Sequence, residues 1–280
     1  MKIILKINRR KKMNEIKKIS DEEYFSIDAL SNSFLINFDR SPKHYKIGIE
    51  TTPSMNDGTI AHKYILENQD FWNKYYFMPD TIKSKASKEY KELNAKLEDK
   101  ELLKYDYKEM LELISDNINN YSLFELDGHK VTMSYILCKS NKEISIFWED
   151  EVNDEIVQKK GRIDIAFETN EYNILFDLKK VENCLDFEYS VKKYKYYRQA
   201  AWYADGYAKL TGKKTIFIFL TFEFSKPYGI KAYELNTDYI ELGRQENEGS
   251  VKKYLMWKSQ GSPEIVYPDG IETIYKPSYL

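Results

Sequence analysis

The sequence predicts an α/β domain with a central mixed β-sheet flanked by helices. Two observations predict it. Hydrophobic periodicity is helical up to about residue 119, and short β-branched or aromatic runs follow from Val131 onward. One long helical stretch then separates the apolar runs at Ile174 and Thr215, a strand–helix–strand succession that returns the chain to the same sheet. A chain of 280 residues suits one sizeable domain or two small ones. The candidate motifs span most of it, so a single domain over residues 21–280 is expected.

Residues 1–20 carry Arg9-Arg10-Lys11-Lys12 behind a short apolar piece. They lack the basic-then-apolar order and cleavage site of a secretion signal, and are expected to form a flexible basic arm, with Met13 an alternative start. Residues 21–40 have helical spacing of Phe25, Leu30, Phe34 and Leu35, and Ser41-Pro42 ends the helix. Residues 51–58 read as a loop before a helix carrying His62. The charged stretch 84–119, with Leu102, Tyr105, Met110, Leu113 and Ile114, predicts two helices over the sheet. Val131 to Cys138 and Ile144 to Trp148 read as strands, as do the runs from Arg162 to Phe167 and from Ile174 to Phe176. A helix containing Gln199 continues to about Leu210 and stops at Gly212. Thr215 to Thr221 and Ile230 to Leu235 are further strands, and a last helix spans about Asp238 to Trp257. The tail, with Pro263, Pro268 and Pro277, is expected to be irregular.

Composition excludes several classes. The formal net charge of −2 counts against a protein that coats nucleic acid non-specifically. It leaves open an enzyme whose basic residues line only a channel. Lys83, Lys85 and Lys88 form one local cluster and Lys192, Lys193 and Lys195 another, each readable as a solvated helix face or a binding surface. The 24 Tyr are mostly core and rim, with some available to stack on bases. Two cysteines, Cys138 and Cys184, are too few for a four-cysteine iron–sulfur cluster, and a reduced setting is simpler than a disulfide. No apolar run is long enough to span a membrane.

Chemistry concentrates at Gly161-Arg162-Ile163-Asp164 and Asp177-Leu178-Lys179. Charges rarely interrupt apolar strands unless paired, exposed or functional. Asp177 and Lys179 share one face of a strand because side chains alternate with period two. If the strands pair across the turn from Glu168 to Asn173, Asp164 reaches that face. Two carboxylates and an ammonium then meet at one sheet edge, which suits a divalent cation beside a reacting phosphate. The bland reading is two strand ends with a surface ion pair. Further on, Gln199 and Tyr203 stand four apart and stack on one helix face.

These elements together resemble the active site of the PD-(D/E)XK nucleases, and Gln199–Tyr203 resembles the QxxxY element of their RecB-like branch. Upstream, Asp57-Gly58-Thr59-Ile60-Ala61-His62 resembles the branch's histidine element, in which a glycine opens a helix. Ser41-Pro42-Lys43-His44-Tyr45, Glu223-Phe224-Ser225-Lys226-Pro227-Tyr228 and Glu241-Leu242-Gly243-Arg244 extend the resemblance to the RecE-type exonuclease domain, over roughly residues 25 to 265. The departure is Asp177, where many relatives of that subgroup carry Glu; it bears on metal distances and preference.

The resemblance implies a PD-(D/E)XK core and a metal-dependent exonuclease acting on linear double-stranded DNA, 5′ to 3′, in phage-type recombination. It implies Mg²⁺ or Mn²⁺ held by His62, Asp164, Asp177 and the Leu178 carbonyl, with Glu67 a speculative addition because five helical positions turn it from His62. Lys179 orients or deprotonates the attacking water. Gln199 and Tyr203 position the lysine or contact DNA, and Arg162 contacts phosphate or forms a strand-end salt bridge. The implied partners are DNA ends, a RecT-like annealing protein and copies of the chain in a homo-oligomeric ring, with no membrane, in the cytoplasm of a bacterial host. The alternatives are an endonuclease or single-strand nuclease of the same fold in defence or repair, and a non-catalytic DNA-binding protein on a nuclease scaffold.

Overall fold

The computed structural model describes residues 14–47, 52–126, 129–264, 267, 270, 271 and 273–275. Its elements in chain order are β1 (Glu15–Lys17), α1 (Asp21–Ser26), α2 (Asn32–Arg40), α3 (Pro42–Ile47), α4 (Pro53–Leu66), α5 (Asn68–Lys74), β2 (Tyr75–Phe77), α6 (Lys88–Lys96), β3 (Glu101–Leu103), α7 (Tyr105–Asn120), β4 (Ser122–Leu126), β5 (His129–Thr132) and α8 (Met133–Lys139). There follow β6 (Asn141–Val152), β7 (Glu155–Glu168), β8 (Tyr172–Val181), a 3₁₀ turn (Cys184–Asp186), α9 (Phe187–Tyr194), α10 (Tyr196–Thr211), β9 (Lys214–Glu223), β10 (Ile230–Glu234) and α11 (Thr237–Ser259).

Six strands form the central sheet in the order β1-β6-β7-β8-β9-β10. Every neighbouring pair is antiparallel except β8–β9, which α9 and α10 connect. The expected mixed sheet is therefore present, and its parallel pair is the one bridged by the long helical stretch. The sheet is covered on both sides, which explains why residues 173–178 of β8 are buried without alternation. On one face Ile146, Ile163, Leu175 and Phe217 pack against Leu35, Val191, Trp202 and Val251 from α2, α9, α10 and α11. On the other, Ile165, Phe176, Leu220 and Phe222 meet Ile60, Phe71, Ile114 and Ile136 from α4, α5, α7 and α8.

Four expectations need correction. The flexible arm expected over residues 1–20 does not hold at Glu15–Lys17, which pair with Ser145–Phe147 as an edge strand; residues 1–13 lie outside the described residues. The helix expected over 21–40 is two helices, because Ser31 starts a new one by accepting the Phe34 N–H, and Leu30 between them bridges to Lys159. The loop expected over 51–58 ends at Thr52, whose hydroxyl caps α4 through Met55 N–H with Pro53 in the first turn. Gly58 is therefore inside the helix. Finally, Val131–Cys138 is not a strand: Thr132 ends β5 and caps α8 by accepting the Tyr135 N–H. An apolar run of this length does not distinguish strand from buried helix, and the cap decides. Among the described residues, no helix is long and apolar enough to cross a membrane.

Candidate active site

The site forms where β7 and β8 part. They pair from Glu168↔Asn173 to Ile165↔Phe176 and no further. Asp164 and Asp177 occupy the first positions beyond that last pair, so the fork opens between two carboxylates. The Leu178 N–H, released from the ladder, donates to Asp164 Oδ2 at 2.8 Å. One strand further, β6 pairs Lys142 with Ile165 and Ile144 with Ile163, which sets Glu143 opposite Asp164. Glu143 has a φ of 53°, a left-handed conformation near the start of β6. Such residues cost of order 1–3 kcal/mol and cluster at functional sites.

Helices supply the rest from both faces of the sheet. From α4, His62 Nε2 lies 3.0 Å from Asp164 Oδ2 and 3.4 Å from Glu143 Oε1. From α10, the Gln199 side-chain amide donates to Asp177 Oδ1. Lys179 Nζ is 2.6 Å from Asp177 Oδ2 and 4.9 Å from the centre of the Tyr196 ring.

The electrostatics are those of a crowded carboxylate pocket. Burial pushes the Glu143 carboxyl up to about 8, with His62 opposing and Asp164 adding to the rise. Burial likewise pushes Asp177 up to about 6, against the pull of Lys179. Burial also works against charge on His62, but Asp164 above all, then Glu143 and Asp177, outweigh it and raise its pKa to about 9. Asp164 is held below the usual carboxylate range because His62, Lys179 and the Leu178 N–H together overcome its burial. Lys179 moves up, since Asp177 outweighs desolvation, so its amine is an ammonium at neutral pH.

His62, Glu143 and Asp164 place ligand atoms within 4.8 Å of one another, a group able to hold a metal ion. Glu143 Oε1 is buried without a hydrogen-bond partner, an arrangement that favours a cation. One imidazole nitrogen among carboxylate oxygens suits Mg²⁺ poorly and Mn²⁺ better.

Most of the residues singled out in the sequence converge here: His62, Asp164, Asp177, Leu178, Lys179 and Gln199. Three are placed differently. Arg162 makes the strand-end salt bridge: its guanidinium pairs with Asp21, donates to the Ile19 and Ser20 carbonyls and lies 4.7 Å from the Tyr24 ring. Tyr203, half-buried on α10, packs its ring against Gly161 of β7, where an added Cβ would lie 2.9 Å from Cε1, and Asp177 and Asp164 stand near enough to act on its hydroxyl. Burial holds its hydroxyl protonated well above the usual phenol range. Glu67 pairs with Lys63 at 3.0 Å and stands outside the ligand group. Leu178 meets Asp164 through its N–H, where its carbonyl was the expected contact. Glu143 was missed in the sequence. Its only signal there is an acid opening an apolar strand that pairs with the Asp164 strand.

Residues 31–269 match the family described as "PDDEXK-like domain of unknown function (DUF3799)". Among solved structures, the fold resembles a crystal structure described as "Putative exonuclease" from Eubacterium rectale, with a TM-score of 0.60 and 16% identity over 89% of each chain. The crystal structure of SSO0001 aligns with 85% of this chain and 90% of its own at 12% identity, with a TM-score of 0.36. The first likeness concerns the fold alone, and the second is too low to bear on it. No curated protein matches the chain.

Proposed function

Because the chain belongs to the PDDEXK-like family that its residues 31–269 match, we propose that it is a metal-dependent nuclease that hydrolyses phosphodiester bonds of linear double-stranded DNA from an end. The observation that carries this reading is the meeting of Asp164, Asp177, Lys179 and His62 in the fork between β7 and β8. His62, Asp164 and Glu143 would hold the divalent ion, with Asp177 beside them. A bound ion lowers the pKa of a coordinated water and neutralises charge on the phosphate. Lys179, charged and fixed by Asp177, offsets the negative charge that grows on the phosphate oxygens. Gln199 holds the Asp177 carboxylate from behind and so fixes the ammonium indirectly.

The finer parts of the proposal rest on the sequence resemblance: 5′-to-3′ direction, phage-type recombination in a bacterial cytosol, a RecT-like partner and a ring of identical chains.

Digestion of linear and covalently closed duplex DNA with Mg²⁺, Mn²⁺ or EDTA, beside Lys179→Ala and Asp177→Asn, tests it. Metal-dependent loss of the linear form alone, absent in both variants, is the expected result. Cutting of the closed circle turns the reading to an endonuclease. Cleavage retained in both variants removes this site from the chemistry.

A further inference from the structure

We propose that the cleft beside Lys179 binds an unpaired DNA strand, its bases stacked on the exposed rings of Tyr189 and Tyr194. This rests on the nuclease reading above and names the form of DNA the site prefers at a duplex end.

The cleft has a volume of about 750 Å³ and runs from Ser54 at the start of α4 and Lys180 at the end of β8 to Tyr189, Lys193 and Tyr194 on α9. Tyr196 lines the cleft and links it to the candidate site. Tyr194 lies 5.5 Å from Tyr196 between ring centres, and Tyr196 in turn lies under Lys179 at 4.9 Å.

Helix α9 buries Phe187 and Val191, one turn apart, and so already has its core face. Tyr189 stands on the opposite side of the helix from that face, and Tyr194 is its last residue; they stay 67% and 50% exposed and both line the cleft. Lys193 Nζ lies 5.7 Å from the Tyr189 ring centre and 5.1 Å from that of Tyr194. Its neighbours Lys192 and Lys195 pair with Glu188 and Glu246. Among the described residues, Lys193 has no carboxylate at ion-pair distance.

Charge decides which form of DNA fits. Lys180 and Lys193 in the lining are balanced by Glu182 and Asp186. Lys180 is further engaged by Ser54 at 3.0 Å and Asp57 at 3.6 Å. Duplex DNA is held chiefly through its phosphates, and this lining offers them little net charge. An unpaired strand presents base faces, which stack on tyrosine whatever their sequence, with a cation beside them. Lys193 then meets the backbone of the stacked bases, and the strand continues past Tyr196 to Lys179.

The test is fluorescence anisotropy of a labelled oligothymidylate of about twelve nucleotides and of a blunt duplex of equal length, in EDTA, with the full chain. Wild type is expected to bind the single strand more tightly. The double variant Tyr189→Ala/Tyr194→Ala should lose about tenfold or more for the single strand, the worth of one stacked base, with duplex binding unchanged. Tyr189→Phe/Tyr194→Phe should restore it. Equal single-strand affinity in wild type and the alanine variant, or a preference of wild type for duplex, overturns the proposal. Binding in EDTA needs no cleavage, so the two readings fail separately. Tyrosine-dependent binding by a chain that cuts nothing ends the nuclease reading, and cleavage with tyrosine-independent binding ends this one.

Discussion

At the scale of single residues, Glu143 is the group whose behaviour says most about the site. Its carboxyl is buried and pushed up to about 8, and its backbone takes φ 53° near the start of β6. Without a cation the fold is burdened by it, since its neighbours include the Asp164 carboxylate. Glu143→Gln keeps the shape and removes the charge. Calorimetric titration with Mn²⁺ should show a loss of affinity at least as large as the roughly 10–100-fold that outer partners of a metal site cost. Thermal melts in EDTA at pH 9, where the wild-type carboxyl is ionised, should show the variant melting higher. A variant that binds Mn²⁺ as wild type does would place the ion away from Glu143. The sequence could not yield this residue as it yielded Asp164, Asp177 and Lys179. Those three interrupt apolar runs at a spacing that chemistry explains. Glu143 sits among Asn141 and Lys142 at the polar start of a strand, and only the register of β6 against β7 sets it across from Asp164.

At the scale of elements, two glycines separate positions where the backbone needs no side chain from positions that merely lack one. Gly58 lies inside α4, and an added Cβ would be 3.8 Å from Lys180 Cβ, an ordinary contact. Gly243 lies on α11 where a Cβ would come within 2.3 Å of the Tyr197 carbonyl oxygen on α10. Gly58→Ala should stabilise by up to about 1 kcal/mol, the helix-propensity difference. Gly243→Ala should destabilise, because α10 and α11 must move apart, by the typical overpacking cost of about 1–3 kcal/mol. Urea titrations of the two variants read both signs. The same helices share a polar node: Arg198, 1% exposed, donates to Asp39 at 2.6 Å, Asn247 at 3.0 Å and Ser250 at 2.8 Å. It ties α2, α10 and α11 together. Arg198→Ala leaves Asp39 and Asn247 partly unpaired and should cost about 3–5 kcal/mol in the same titrations. At this scale the sequence was legible where periodicity was sustained, as in α10 with its Gly212 stop and in β8 and β9. It misled where a short run had two readings. Met133–Lys139 is as apolar as a strand, and Thr132 alone makes it a helix. Arg198 stands one place before Gln199 and was not singled out in the sequence; its role depends on helices distant in sequence.

At the scale of the whole molecule, the site couples stability to pH and metal together, and the sign follows from the direction of each shift. His62 is raised from 6.5 to about 9, Glu143 from 4.5 to about 8 and Asp177 from 3.8 to about 6. In each case the folded, metal-free chain holds its proton more tightly than the unfolded chain does. Stability rises with pH only where the unfolded state binds more protons; here the folded state binds more. The His62 contribution is complete below pH 6.5 and is lost as pH rises through 9. The two raised carboxyls act in the same sense, since ionising them inside the fold is harder than in the open chain. Asp164 shifts the other way, but below its ordinary value of 3.8, outside this window. Melting in EDTA should therefore fall steadily from pH 5 to pH 9. Metal binding requires the deprotonated ligands, so its stabilisation should grow over the same range, reaching about 2.7 kcal/mol where free ion exceeds its Kd a hundredfold. The difference between melting temperatures in Mn²⁺ and in EDTA should widen with pH in wild type and stay flat in a His62→Gln/Glu143→Gln variant, which isolates these groups from all others that titrate. A flat difference in wild type would mean that the cluster does not gather its protons or its ion as one unit, and that Asp164 and Asp177 act without His62.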